Sequence, residues 1–324
     1  MKRIAIQGIE GSFHDIASHQ YFGDEEIELI CCNTFEQVFA TLRNDSTAIG
    51  MAAIENTIAG SLLHNYELLR ESGAAIVGEH KLRIKHAFLC LPDDDWDDIT
   101  EVHSHPVALM QCRDFLNQHD NLKVVEASDT AGAARMVAQG QMHGHAAIGS
   151  SKLAEKYGLK VLEEGIETNK HNFTRFLVFA NPARANLLRN IMQTDKASIV
   201  FALPHEEGSL SQVLSILSFY KLNLTKIQSL PIIGREWEYL FYVDIQFSDY
   251  TRYSQGIDAI RPLTSQLKIV GKYRQGREFV RQTIFSRRVH FSGILHVFTQ
   301  KMSKKVGQFV KNALLCSATQ TNCI

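Results

Sequence analysis

The stretch Ala48-Ile49-Gly50-Met51-Ala52-Ala53-Ile54-Glu55-Asn56-Thr57-Ile58-Ala59-Gly60-Ser61 runs from an uncharged apolar segment straight into an acid, an amide and two hydroxyls. A continuous apolar run of this length reads as a strand buried on both faces, the kind found in α/β sheets covered by helices. The polar residues then fall at the strand's carboxyl end, where such sheets place their ligands. Working outward, Arg3 to Gln7 reads as a strand followed by the Gly8–Gly11 turn and a helix capped by Ser12. Ile27 to Cys31 is a second strand. Thr34 caps a helix whose Phe35, Val38, Phe39 and Leu42 share one face. Beyond the opening stretch follow a helix from Leu62 to Arg70 and strands at Ala74 to Val77 and His86 to Leu91. A second α/β unit has strands at Ile99 to His103, Lys123 to Ala127 and His145 to Gly149, with helices from Pro106, Thr130 and Ser150. Thr174 to Ala180 returns as a strand. Two α/β lobes joined by two crossings would resemble the arrangement of type II periplasmic binding proteins, with a ligand cleft between the lobes.

Asn181 to Lys196 changes character, with Pro182 and a polar, arginine-containing stretch, and reads as a linker after a first domain spanning 1–180. Residues 197–275 then read strand, helix, strand, strand, helix, strand, the ferredoxin-like βαββαβ order. Its elements are a strand Ser198 to Leu203, a helix Ser209 to Tyr220, strands Asn223 to Pro231 and Glu238 to Phe247, a helix Tyr253 to Gln266 and a strand Lys268 to Tyr273. Residues 276–324 fit neither unit. They form a basic extension with no Asp or Glu after Glu278.

Composition excludes several classes. With 34 Lys and Arg against 35 Asp and Glu, the net charge is −1, so there is no basic field for nucleic acid. No apolar run approaches the roughly 18 residues of a membrane span, and the N-terminal apolar run is too short for a signal peptide. A cytoplasmic protein is expected. The six cysteines lack CxxC spacing and read as reduced thiols. His103 and His105 stand together at a strand end without an apparent third ligand, so they read as packing or capping residues and no metal is expected. The Gly8–Gly11 turn lacks the third glycine of a dinucleotide fingerprint.

Four loops join a strand end to a helix start: Gly8 to Ser12, Ser104 to Pro106, Ser128 to Thr130 and Gly149 to Ser151. Unpaired N–H groups and partial positive charge at helix starts suit an anion when several converge. Singly, each is an ordinary cap. Asn172-Phe173-Thr174-Arg175-Phe176 opens the returning strand and places Arg175 where it reads either as a solvated strand end or as a carboxylate clamp.

Together these blocks resemble the prephenate dehydratase family, collinearly over residues 3 to 275. The resemblance is carried by Gly8-Ile9-Glu10-Gly11-Ser12-Phe13, Ile54-Glu55-Asn56-Thr57 with Gly60-Ser61, and Ser104-His105-Pro106 with Ala108, Leu109, Gln111 and Cys112. Asp129 to Ala134, Ala146 to Ser150 and above all Thr174-Arg175-Phe176 complete it. Ala53 stands for the family's usual Pro, Thr57 for Ser and Val107 for Gln. The resemblance implies decarboxylating dehydration of prephenate to phenylpyruvate in phenylalanine biosynthesis, without a cofactor. Thr174, Glu55 and Arg175 would be catalytic: Thr174 protonating the leaving hydroxyl, Glu55 resupplying or delivering the proton, Arg175 holding a carboxylate. Ser12, Asn56, Thr57, Ser104, Thr130, Ser150, Asn172 and Phe176 would line the substrate site, Phe176 chiefly by packing. The start of the first dehydratase strand almost at Met1 implies a monofunctional enzyme.

Glu207-Gly208-Ser209-Leu210 and Leu224 to Pro231 resemble the regulatory ACT domain attached to these enzymes. That implies a homodimer or homotetramer and phenylalanine as allosteric effector near Gly208, Ser209, Leu210, Asn223, Leu224, Gln228 and Ser229. Gln228 replaces an acid and Leu230 an arginine of that pattern, which removes charges that would order the loop. Arogenate dehydration and non-catalytic amino-acid sensing are the rival readings.

Overall fold

The computed structural model describes residues 1–188, 194–232, 234 and 238–276. The basic extension, beyond residue 276, lies outside the described residues. Two sheets organise the rest. The chain opens with β1 (Lys2–Gln7), α1 (Phe13–Phe22), β2 (Ile27–Cys32), α2 (Phe35–Asn44), β3 (Ile49–Asn56), β4 (Gly60–Ser61), α3 (Leu63–Ser72) and β5 (Ala75–Arg83). α1 and α2 start at side-chain caps, Ser12 accepting from Asp15 N and Thr34 from Gln37 N.

The second lobe contains β6 (Ala87–Cys90), β7 (Glu101–Ser104), α4 (Pro106–Gln111), α5 (Arg113–Leu116), β8 (Lys123–Glu126), α6 (Thr130–Gln139), β9 (His145–Gly149), α7 (Lys152–Tyr157) and β10 (Lys160–Glu164). Its sheet order is β10-β6-β9-β7-β8. β10 escaped the sequence reading: Lys160, Glu163 and Glu164 give an edge strand little apolar alternation. The chain returns to the first lobe through β11 (Phe173–Ala180), antiparallel to both β3 and β5. This is the two-lobed architecture expected, with crossings at residues 84–86 and 165–172.

The segment read as a linker contains a helix, α8 (Pro182–Leu188). Pro182 is no breaker there, because proline suits the first helical turn and Asn181 Oδ1 accepts from Ala183 N at 3.0 Å. Then come β12 (Lys196–Ala202), α9 (Ser209–Phe219), β13 (Asn223–Pro231), β14 (Tyr239–Gln246), α10 (Tyr250–Ile260) and β15 (Ser265–Tyr273). α10 starts earlier and stops earlier than its periodicity predicts: Asp249 caps Thr251 N, and Pro262 forces a 3-10 turn before β15. The strand order β13-β14-β12-β15 is that of a ferredoxin-like ACT fold.

That module is joined to the first lobe in one ten-stranded sheet, β13-β14-β12-β15-β5-β11-β3-β1-β2, with β4 attached to β3. The seam is a single parallel pairing, Gly271 with Ile76. A Cβ on Gly271 would lie 2.5 Å from Ile76 backbone and side-chain atoms, so only glycine permits the approach. Around the seam Tyr66, Leu69, Ile76 and Leu177 pack with Val200, Tyr242 and Tyr273 in one buried cluster. The module's own core, under α9 and α10, holds Phe201, Val213, Leu217, Tyr253 and Ile257.

Candidate active site

The functional geometry hangs on how β3 meets β11. Thr174 pairs with Asn56 and Arg175 with Glu55, but the next partner of Phe176 is Ala53, so Ile54 is bulged out of register. Because strand side chains alternate, Thr174 and Phe176 face one side of the sheet and Arg175 the other. The bulge lets Asn56 and Ala53 both face the same side as Thr174.

On that side lies a cavity of about 470 Å³ between the lobes, of a size suited to a small ligand. Helix starts surround it: Ser12, Phe13 and His14 of α1, Thr34 and Phe35 of α2, His105, Val107 and Ala108 at α4, and Ser128 to Thr130 at α6. Three of the four expected loops are therefore present. The fourth, Gly149 to Ser151, is replaced by Asn33 to Phe35; Ser150 Oγ instead donates to Gly11 O at 2.7 Å and ties the lobes together. Among the described residues lining the cavity there is no Lys or Arg.

The floor is a chain of buried amides. Asn56 Nδ2 donates to Thr174 Oγ1 at 2.9 Å and to Asn172 Oδ1 at 2.8 Å. Asn172 Nδ2 donates to Gln111 Oε1 at 2.9 Å, which also contacts His86 Nε2 at 3.0 Å. Asn56 Oδ1 is filled by Ile58 N, Ala59 N and Gln111 Nε2. With Asn56 satisfying one lone pair of Thr174, the threonine retains its proton to donate. Gln111 brings the second lobe into this network; it stands in the helix-start block noted in the sequence, but nothing local signals its partners.

His14 also belongs to the floor, edge-on to Phe176 at 5.0 Å, with Nε2 accepting from Ala53 N at 3.2 Å. Burial lowers its pKa to about 4, so the ring is neutral. At the mouth, Glu36 contacts His64 at 2.6 Å, and hydrogen bonds from His64 and Thr34 hold its carboxyl down to about 2.

Several expected site residues lie elsewhere. Thr57 does not line the cavity: its hydroxyl donates to His171 O and accepts from Phe173 N, clamping the returning chain. Ser104 is fully buried and donates to Ile148 O at 2.6 Å. Asn172 sits behind Asn56 rather than beside the cavity. Ser12, Asn56, Thr130, Thr174 and Phe176 line it.

Glu55 and Arg175 face the opposite side of the sheet, and neither lines the cavity. The expected clamp is instead the centre of an ionic hub against the ACT-type module. Arg175 donates from Nε to Glu79 at 2.7 Å, from Nη1 to Asp244 at 2.5 Å and from Nη2 to Tyr273 Oη at 3.1 Å. Lys196 Nζ donates to both Glu79 oxygens at 3.0 and 2.9 Å. Ser198 Oγ bonds Asp244 Oδ1 and Tyr273 Oη at 2.5 and 2.7 Å. Glu55 lies 3.6 Å from Arg175 and 3.0 Å from Lys226. Burial opposes the charge on Arg175, but Asp244, Tyr273 and Glu79 outweigh it and hold the pKa above its ordinary value. Sequence reasoning missed Glu79, Lys196 and Asp244, because they come from three strands with no common spacing.

In the ACT-type module, Gly208, Ser209 and Leu210 line a surface recess at the start of α9 together with Glu206, Ser211 and Leu214. Asn223, Leu224, Gln228 and Ser229 lie apart from that recess, on β13 at the sheet edge. Of the described cysteines, Cys31 is exposed while Cys32, Cys90 and Cys112 are buried; burial pushes Cys112 up to about 12.

The family profile for prephenate dehydratase matches residues 4–184. Arogenate dehydratase 5, chloroplastic, of Arabidopsis thaliana is 34% identical over 289 residues, covering 84% of this chain and 67% of that protein. The bifunctional chorismate mutase/prephenate dehydratase of Escherichia coli (strain K12) is 32% identical over 274 residues, covering 84% and 70%. Among solved structures, the quorum-quenching acylase GqqA is 29% identical with a TM-score of 0.76, covering 85% of this chain and 98% of that one. Prephenate dehydratase of Arthrobacter aurescens in complex with L-Phe gives 22%, a TM-score of 0.74, and coverage of 93% and 99%. The chain belongs to the prephenate dehydratase family.

Proposed function

We propose that the protein converts prephenate to phenylpyruvate, CO₂ and water. The observation that carries this is the Thr174 hydroxyl, fixed by Asn56 on the floor of a cleft ringed by helix starts. Helix N–H groups at α1, α2 and α6 bind the two carboxylates of the substrate, replacing the arginine clamp that the sequence suggests. The ring carboxylate leaves as CO₂, and its electron pair enters the ring as the hydroxyl departs. Thr174 donates a hydrogen bond to that hydroxyl, and solvent supplies the proton that completes water. Glu55, paired with Lys226 on the far side of the sheet, takes no part in this proposed proton path. Nothing in these steps draws on a metal or an organic cofactor.

Arogenate is the second reading, favoured by a specific feature: Glu36 lines the cleft mouth beside His64, with no lysine or arginine among the described lining residues, and an ammonium would meet it well. Amide cleavage, as in the acylase, would need a hydroxyl paired with a base, whereas Thr174 Oγ1 is paired with the Asn56 amide. The ACT-type module takes phenylalanine at the α9 recess, with β13 of a second copy completing the site. The L-Phe bound to the Arthrobacter protein supports this.

The test is phenylpyruvate formation from prephenate by purified full-length protein, with arogenate in parallel. Turnover of prephenate at least tenfold faster than that of arogenate supports the first reading; the reverse ratio names the second. No turnover of either, in folded protein that binds both, overturns catalysis and leaves a sensor.

A further inference from the structure

A cluster in the second lobe has no part in this chemistry. β7 and β9 run parallel, with Glu101 opposite His145 and His103 opposite Ala147. Glu101 and His103, two residues apart, project from the same face of β7, and His145 reaches them from the neighbouring strand. His103 Nε2 lies 2.9 Å from His145 Nδ1. Glu101 Oε2 lies 3.9 Å from each of those nitrogens.

We propose that Glu101, His103 and His145 form a binding site for a divalent first-row transition-metal ion, with Zn²⁺ as the fitting occupant. A point equidistant from the three ligand atoms lies about 2.1 Å from each, within the range of zinc–imidazole and zinc–carboxylate bonds. Three ligands in this arrangement leave a fourth position for water. Two imidazoles with one carboxylate select zinc, cobalt or nickel over calcium or magnesium, which favour all-oxygen sets.

The surroundings agree. Lys123 Nζ holds the other carboxylate oxygen, Oε1, at 2.9 Å and so turns Oε2 toward the histidines, as an outer-shell partner does. His103 is buried and its ring stacks on His145 at 5.2 Å, which limits reorientation. A bare hydrogen bond between two imidazoles would not require the carboxylate to face both nitrogens at one distance.

Glu101 and His145 open their strands, whereas the cleft lies past the opposite ends of β7 and β8, at His105 and Ser128. The site is thus remote from Thr174. A bound ion would pin β7 to β9 and stiffen the lobe.

The experiment uses the full chain stripped with chelator and titrated with Co²⁺, followed by Zn²⁺ displacement. One equivalent should bind with micromolar or tighter affinity, giving a visible absorption band that Zn²⁺ abolishes, and Zn²⁺ should raise the thermal midpoint. His145→Ala and the isosteric Glu101→Gln should each weaken binding by roughly tenfold or more, with turnover of the metal-free protein unchanged. Absence of stoichiometric binding overturns the proposal. So does binding of equal strength in folded samples of both variants, which would place the ion elsewhere.

Discussion

The two sides of β11 make the instructive comparison. Thr174 faces an amide network in which every partner is neutral, while Arg175, the next residue, sits among carboxylates, a lysine and a tyrosine. Both environments are buried. They differ in what they hold still: the first leaves a donor available to a ligand, and the second uses all the arginine's direction to bind one module to another. With the role proposed for Thr174, adjacent residues in a strand separate reaction from assembly, and a substitution on one side should leave the other quantity nearly untouched.

The largest effect expected is on the assembly side. Arg175→Met removes the only cation bridging Glu79 and Asp244 among the described contacts, leaving buried carboxylates underpaired. A loss of about 3–5 kcal/mol in unfolding free energy is expected, read by denaturant titration. A fall in kcat larger than the fall in stability would break the comparison. On the reaction side, Thr174→Ala should lower kcat by roughly a hundredfold or more with the melting temperature nearly unchanged, and Thr174→Ser should restore most of it. Near-wild-type turnover of the alanine variant would remove the role assigned to the hydroxyl.

The buried His14 sharpens the picture with pH. Its folded pKa, about 4, lies below the ordinary value of 6.5, so the unfolded chain binds more protons between those values. Stability contributed by the neutral ring is full above pH 6.5 and is lost as pH falls toward 4. At pH 5 the loss is about 2 kcal/mol, and His14→Gln should flatten that slope in a series of melts. His80 and His86 are also lowered by burial and act with the same sign. The smallest effect is expected for Glu55→Gln. Its carboxylate is about one-third exposed, so loss of the Lys226 pair costs about 1 kcal/mol or less. A kcat within twofold of wild type is expected; a drop of two orders of magnitude would return Glu55 to the proton path.

Much of the fold was legible because its signals are periodic or local. The apolar run of β3, the amphipathic face of α2 and the caps at Ser12, Thr34 and Asp129 each announce themselves within a few residues. Side-chain direction was harder. A strand with seven of its eight residues buried shows no alternation to say which face Arg175 takes, and the bulge at Ile54 shifts the phase of β3 invisibly. Partners across long separations were the hardest. His103 reads beside its near neighbour His105, yet it meets His145, 42 residues away. Glu79, Lys196 and Asp244 look like ordinary strand charges until three strands bring them together.

The hub has a further consequence for descent. Arg175, Lys196 and Lys226 stand against Glu79, Asp244 and Glu55, an even match of charges. Replacing any one of the buried members Arg175, Lys196, Glu79 and Asp244 leaves a charge stranded, so drift through single steps is penalised at each of them. Lineages should keep the set whole or exchange it as a block for apolar side chains. Such positions would co-vary across the junction between the two-lobed unit and the ACT-type module, and grafting a foreign module of this fold onto the lobes would succeed only when the counter-charges travel with it.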